Sequence, residues 1–196
     1  RFFPRVLRQC PPSAWRAEVA MLKRKDLPWH HRSNPFWRYA ALQAGFLILA
    51  VALGGWSGLG LFLIQAFVAI WQLELVNYIE HYGLTRRHLG NGRYEHVLPR
   101  HSWNAEHRAS NWLLINLQRH SDHHYKPDRR FPVLQTYPKG QAPQLPYGYP
   151  LMTMAAMVPP LWKRIMNKRV KAWRRRHYPD IADWHPYNKA LNPVAV

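Results

Sequence analysis

At 196 residues the chain is long enough for one domain with a real core. Its single cysteine, Cys10, excludes an internal disulfide and a thiolate-rich metal site, so any metal must be held by His, Asp or Glu. The formal net charge of +18 would suit a nucleic-acid partner if it were evenly spread. It is not: no Lys or Arg occurs from Tyr39 to Thr85, nine basic residues precede that block and nineteen follow it. Basic flanks around an apolar block point to membrane lipids with an anionic leaflet and to no nucleic acid. The mean hydropathy of −0.43 fits one short membrane portion and a large polar remainder.

Residues 1–38 mix basic and aromatic side chains and are broken by Pro4, Pro11, Pro12, Pro28 and Pro35. Within them SAWRAEVAMLKRK reads as a helix capped by Ser13. Trp15, Val19 and Leu22 share one side, and Arg16, Lys23 and Arg24 are placed for lipid headgroups, which suits an interfacial helix or an ordinary surface one. YAALQAGFLILAVALGGW (39–56) and LGLFLIQAFVAIWQLELV (59–76) are each near the length that crosses about 30 Å of hydrocarbon. Gly54, Gly55, Ser57 and Gly58 supply the turn between them. Both outer ends are basic and the turn is uncharged, so residues 1–38 and the chain after about residue 85 are expected to face the cytoplasm.

Residues 102–124 read as a further helix, capped by Ser102 or Asn104 and stopped by Pro127. Residues 127–160 are rich in Pro, Gly and Tyr and predict an extended segment packed over the rest. PPLWKRIMNKRVKAWRRRHYP resumes as a basic helix. Leu161, Trp162 and Ile165 are expected towards lipid, with Lys163, Arg164, Lys168, Arg169 and Lys171 towards phosphates, unless the helix is simply solvated. The expected fold class is all-α integral membrane, a transmembrane helical hairpin followed by a cytoplasmic His-bearing helix and a Pro-rich extended segment. One domain over 1–196 is expected: 1–38 interfacial, 39–76 the hairpin, 77–130 the metal-site region and 131–196 the cytoplasmic C-terminal segment.

Two loci carry chemistry. In LQRHSDHH (117–124), a helix would gather His120, His123 and His124 within an arc of roughly 100°. Imidazoles fill cores poorly, and such a cluster makes sense as a grip on a metal ion. In ELVNYIEHYGL (74–84), Glu74, Asn77, Tyr78 and His81 fall at i, i+3, i+4 and i+7, one face of one helix. A carboxylate at the end of a membrane helix is costly without a partner. Glu74 is therefore an acceptor that orients a metal-bound histidine, a ligand itself, or a group snorkelling to an arginine. Glu80 reads as a boundary charge pointing elsewhere. Nitrogen and carboxylate ligation without thiolate suits zinc, iron or manganese. A site just under the bilayer takes its substrate from lipid, and apolar substrates without a leaving group need oxidation, which favours iron and dioxygen.

NYIEHYGL (77–84) and LQRHSDHH (117–124), with HSWN (101–104) between them, resemble the signature of the alkane monooxygenase (alkane 1-hydroxylase) family. These are integral-membrane, histidine-rich di-iron enzymes related to xylene monooxygenase and, more distantly, to the membrane fatty-acid desaturases. The resemblance continues through RRFPVLQTYP and LPYGYPLMTMAAMVPP and back through the hairpin. It implies oxygen-dependent terminal hydroxylation of alkanes to 1-alkanols at a His-ligated centre of two non-haem irons (Fe). It also implies a rubredoxin, a small acidic iron protein, as electron donor, and a bacterial inner membrane with the site on the cytoplasmic side.

Carried over by position, the resemblance implies His81, His120, His123 and His124 as iron ligands. Glu74, Asn77 and Tyr78 would support His81, and Asp122 would play a structural or supporting part on the other face. His101 and Asn104 fall in HSWN without a derived role, and His107 is a further candidate or an idle helix-face residue. Trp71, Phe67 and Leu75 are candidate liners of an alkane channel. His30, His31, His88, His96, His177 and His185 are expected in solvated loops. Family members carry two earlier histidine boxes, H-E-x-x-H and H-x-x-x-H-H, that do not occur here. The chain is therefore expected to be the C-terminal part of such an enzyme, inactive alone, with the remaining ligands before residue 1. Two alternatives stay open: a desaturase or fatty-acid hydroxylase of the same superfamily, and a non-enzymatic basic membrane protein whose histidines hold zinc.

Overall fold

The computed structural model describes residues 2–188; the end of the expected C-terminal segment, 189–196, lies outside the described residues. The fold is mostly helical and divides into two compact units, Arg1–Glu74 and Leu75–Val196.

In the first unit, helix α1 (Phe2–Lys23) runs straight through Pro11 and Pro12. Ser13 does not start a helix there. Its hydroxyl donates to the Cys10 carbonyl at 2.9 Å, a side-chain bond back onto the preceding turn. Trp15 packs edge-on against Trp29, Phe36 and Trp37 at 5.1–6.3 Å. Helix α2 (Pro35–His81) begins at a well-defined cap. Buried Asn34 accepts from the Phe36 N–H at 3.1 Å and donates to the Trp29 carbonyl at 2.8 Å, and Pro35 occupies the position where a missing N–H costs nothing.

Among the described residues, α2 is the helix long and apolar enough to cross a membrane. It is interrupted at Gly55, whose φ of 57° and ψ of −149° are open to glycine alone. The chain reverses at this point. Phe46 and Phe62 stack with centroids 6.4 Å apart, whereas sixteen residues of straight helix would separate them by about 24 Å. A Cβ on Gly58 would overlap the Ala50 backbone carbonyl. The outward side chains on both sides of the break are apolar, including Leu42, Ile48, Leu53, Leu61 and Ile64.

The second unit begins with the last turns of α2. Its core joins Ile79, Trp103, Leu145, Tyr149, Met152, Trp162, Met166 and Val170. A two-residue hairpin pairs β1 (His88–Gly90) with β2 (Arg93–Tyr94), turning at Asn91 and Gly92, both with positive φ. His88, expected in a solvated loop, is instead buried against Tyr94 at 5.0 Å, because strand pairing sets the two directly opposite.

The expected continuous helix over 102–124 is two short helices, α3 (Arg108–Leu113) and α4 (His120–Tyr125). Ile115 and Asn116 between them are left-handed, with φ of 50° and 62°. The Asn116 N–H closes back onto the Asn111 carbonyl at 2.9 Å, a helix-terminating bond. Ser102 and Asn104 cap neither helix; His107 and Arg119 occupy those positions.

The expected extended segment 127–160 contains helix α5 (Tyr149–Ala156). Pro150 sits in its first turn, where proline starts a helix rather than breaking one. Helix α6 (Pro159–His177) comes next and the short α7 (His185–Asn188) ends the described chain. Trp162 faces the core, not lipid: it is fully buried against Tyr78 and Tyr82 at 5.8 and 5.3 Å, and Ile165 packs on the same core. His177 is the last residue of α6 and stacks on Trp173 at 4.3 Å, so it too is held rather than solvated.

Gly83 lies just past the end of α2 with φ 68°, and a Cβ there would lie 2.7 Å from a Val170 methyl. Gly83→Ala is expected to destabilise the protein by about 2–4 kcal/mol, combining left-handed backbone cost with overpacking. In a double-mutant cycle read by thermal unfolding, Val170→Ala should recover the steric part only. An unchanged melting temperature for Gly83→Ala would contradict this packing.

Candidate metal centre

His81 is the last residue of α2, His120 is the first residue of α4, and His124 stands one turn further along α4. These placements bring three ring nitrogens together. His120 Nε2 lies 3.2 Å from His81 Nε2 and 2.8 Å from His124 Nε2, and one ligand atom from each of the three falls within 4.8 Å of the others. Nitrogens bound about 2.1 Å from one ion at right or tetrahedral angles stand roughly 3.0–3.4 Å apart, so the trio fits a transition-metal cradle after small adjustment. Burial, followed by the charges of His81, His124 and His123, pushes His120 down to about 2. Burial and then His123 lower His124 as well. Neutral imidazoles are the form that binds metal, so the cluster is held ready for a cation.

His123 lies beside the trio rather than in it. It is exposed, as His124 is, with ring centroids 5.9 Å from His120 and 5.5 Å from His124, but it is not among the residues whose ligand atoms gather within 4.8 Å. The carboxylate at the cluster is Glu80, not Glu74. Glu80 is buried and approaches His120 Nδ1 at 3.2 Å, too obliquely for a well-directed hydrogen bond. Tyr149 Oη donates to Glu80 Oε1 at 3.0 Å and fixes it there. On an isolated helix Glu80 points away from the face shared by residues 74, 77, 78 and 81. It meets a histidine because α4 arrives on its own side.

Glu74 is partly exposed and belongs to the first unit, and Asn77 is partly buried. Tyr78 serves the core, with its ring 5.2 Å from Tyr82. Asp122 is fully buried and ties α4 to the chain beyond it. It accepts from Arg129 Nη1 at 2.8 Å, from the Gln135 N–H at 2.7 Å and from Tyr137 Oη at 2.5 Å.

His101 is buried, and both its ring nitrogens are engaged. Nδ1 accepts from the Leu98 N–H at 2.9 Å, and Nε2 lies 2.8 Å from Tyr178 Oη and 3.1 Å from Glu95 Oε1. Asn104 is buried and accepts from the Ser121 N–H at 2.8 Å. His107 is exposed before α3 with no side-chain cap bond. An open pocket beside the trio is walled by His81, His124, Arg86, Tyr94, His101 and Ser102. Glu80, Glu95, Tyr149 and Tyr178 are the working residues that spacing does not single out, since each meets its partner only through tertiary folding.

The profile of the fatty acid desaturase family matches residues 1–156. Alkane 1-monooxygenase 2 of Pseudomonas aeruginosa is 46% identical over 173 residues, covering 88% of this chain and 45% of that protein. Alkane 1-monooxygenase 2 of Alcanivorax borkumensis is 42% identical over 172 residues, 88% of this chain and 44% of that one. The xylene/toluene monooxygenase hydroxylase component of Pseudomonas putida is 31% identical over 167 residues, 84% of this chain and 42% of that one. The chain thus spans under half the length of these curated relatives.

Burial pushes the Glu95 carboxyl up, but bonds from His101, Tyr178, the Arg87 N–H and Arg100 outweigh it and hold the group well below the usual carboxylate range. A depressed folded-state value adds stability above the unfolded value of about 4.3, lost as pH falls through the folded one. Thermal midpoints should therefore drop progressively below about pH 4, and Glu95→Gln should flatten that slope. A wild-type acid slope in Glu95→Gln would contradict the assignment.

Proposed function

This chain belongs to the fatty acid desaturase family, and we propose that it works in terminal hydroxylation of alkanes, as part of an oxygen-dependent membrane alkane monooxygenase with non-haem iron. The observation that carries the reading is the meeting of His81 with His120 and His124, in the NYIEHYGL and LQRHSDHH strings, together with relatives named alkane 1-monooxygenase. His81, His120 and His124 hold one iron, and His123, at the rim, contributes to a second. Further ligands come from elsewhere in the protein, for which the greater length of the relatives leaves room.

Bound iron supplies the dioxygen chemistry that places one oxygen atom on a C–H bond. The chain's own residues prepare the site for it. The imidazoles are kept neutral by burial, Glu80 restrains the His120 ring, and Tyr149 holds Glu80. The apolar segments on either side of Gly55 cross the bilayer as a hairpin, and the second runs directly into the helix end that bears His81. The basic flanks support a position of that end on the cytoplasmic side of an inner membrane. They also suit a small acidic electron carrier such as a rubredoxin.

The test uses the intact membrane protein loaded with iron and supplied with octane, dioxygen and reduced rubredoxin. 1-Octanol is the expected product, read by gas chromatography. Alkene from a fatty acyl substrate with no octanol would establish the desaturase reading instead. Zinc in place of iron, with no oxygen uptake, would establish a structural site. His120→Ala and His124→Ala should each cost metal affinity by about 100-fold or more, whereas His123→Ala should retain about half the iron. Equal iron loss in all three, measured by elemental analysis, would remove the distinction between trio and rim.

A further inference from the structure

We infer that the strap formed by residues 99–104 holds the two ligand-bearing helix ends in register, and that Tyr178 is the positioning residue that locks it from outside. The inference rests on the metal reading above and adds to it a set of residues that touch no metal.

The strap is bonded to both sides of the centre. Towards α2 it brackets His81: the Trp103 N–H donates to the Glu80 carbonyl at 2.7 Å, and Trp103 Nε1–H donates to the Tyr82 carbonyl at 2.8 Å. Towards α4 it grips Ser121, the neighbour of His120. Ser121 Oγ lies 2.6 Å from the Pro99 carbonyl and 2.9 Å from the Ser102 carbonyl, and the Ser121 N–H donates to Asn104 Oδ1 at 2.8 Å. No direct hydrogen bond between the α2 and α4 backbones is needed, since each is tied to the same strap.

The outer edge of the strap is locked by the C-terminal part of the fold. His101 Nδ1 accepts from Leu98, so the ring proton sits on Nε2 and points at Tyr178 Oη and Glu95. Tyr178 Oη in turn donates to Glu95 Oε1, and Arg100 Nη2 lies 2.6 Å from Glu95 Oε2. Trp173 Nε1–H donates to the Arg100 carbonyl at 3.0 Å. His101 and Tyr178 are 6% and 5% exposed, so water cannot freely replace a lost partner. Removing the Tyr178 hydroxyl leaves His101 and Glu95 short of a bond where strain is relieved by moving the strap, and with it the bonds to the Glu80 and Tyr82 carbonyls on either side of His81.

Cobalt(II) added alone to the metal-free intact protein provides the probe, because its visible d–d bands report ligand geometry. Tyr178→Phe should raise the cobalt Kd about tenfold and shift the bands, with the stoichiometry unchanged. Trp173→Phe should shift them in the same direction, and it carries the test alone if Tyr178→Phe fails to fold. Leu22→Ala, buried in the first unit and outside the core that contains Trp103, should lower the thermal midpoint yet leave Kd and bands as in the unaltered protein. Unaltered bands and Kd in Tyr178→Phe or Trp173→Phe would overturn the inference, as would an equal shift in Leu22→Ala. Cobalt uptake by no form of the protein, the unaltered one included, would overturn the metal reading itself, a result distinct from uptake that ignores Tyr178.

Discussion

Three imidazoles pressed together with nitrogens 2.8 and 3.2 Å apart are the constraint on which the second unit depends. Neutral histidines have little mutual attraction, and any positive charge on one raises the cost of charging the others. Burial and neighbouring charge both act on His120 in this direction. Such a cluster does not assemble itself. The fold must hold it, and the surrounding hydrogen bonds are directed almost wholly to that end. Glu80 is braced by Tyr149, Ser121 and Asn104 are interlocked, and Trp103 is fastened to the last turn of α2 by backbone and side chain.

The histidines themselves are legible in the sequence because their signal is local. His120 and His124 sit four apart and share a helix face wherever that helix starts, so their pairing holds even though the real helix is far shorter than periodicity suggests. His123 shows the limit of the same argument. Three residues along, it lies on the same broad arc, yet the ligand atoms that gather are those of His81, His120 and His124, and His123 stays beside them. Spacing fixes direction around an axis and says nothing of which direction is covered. The helix break at Ile115 and Asn116 is hidden for a related reason: NWLLINL has good helical periodicity, and only the tertiary closure onto Asn111 makes two consecutive left-handed residues acceptable.

The supporting carboxylates are illegible in a more basic sense. The geometry of one helix favours Glu74 over Glu80, and the structure reverses the choice because the relevant partner, His120, comes from a separate helix. Glu95, in GRYEHV, and Tyr178, in RRRHYP, carry no periodic or motif signal at all. They meet only because α6 lies along the strap. The Asn91-Gly92 hairpin, absent from the expectations above, nonetheless leaves a local trace, since that dipeptide between short runs is a hairpin signal in its own right.

Helix α6 connects the basic surface to the histidine cluster. Its charge pattern suggests a helix lying on phosphates, and Lys163, Arg164, Lys168 and Lys171 are indeed exposed. Yet Trp162, Met166 and Val170 recur every four residues and are buried, so the helix is anchored in the core by one stripe while the opposite side stays free for anionic surroundings. Its last turn concentrates Arg174, Arg175, Arg176 and His177, where positive charge complements the helix dipole. Arg174 uses that position to donate to the Gly83 carbonyl at 2.9 Å, two residues past His81, and Tyr178 reaches directly onto His101. A segment that reads as a surface element is thus tied at its far end to both the α2 terminus and the strap. Its basic face and its hold on the segments around the histidine cluster are two consequences of one amphipathic helix.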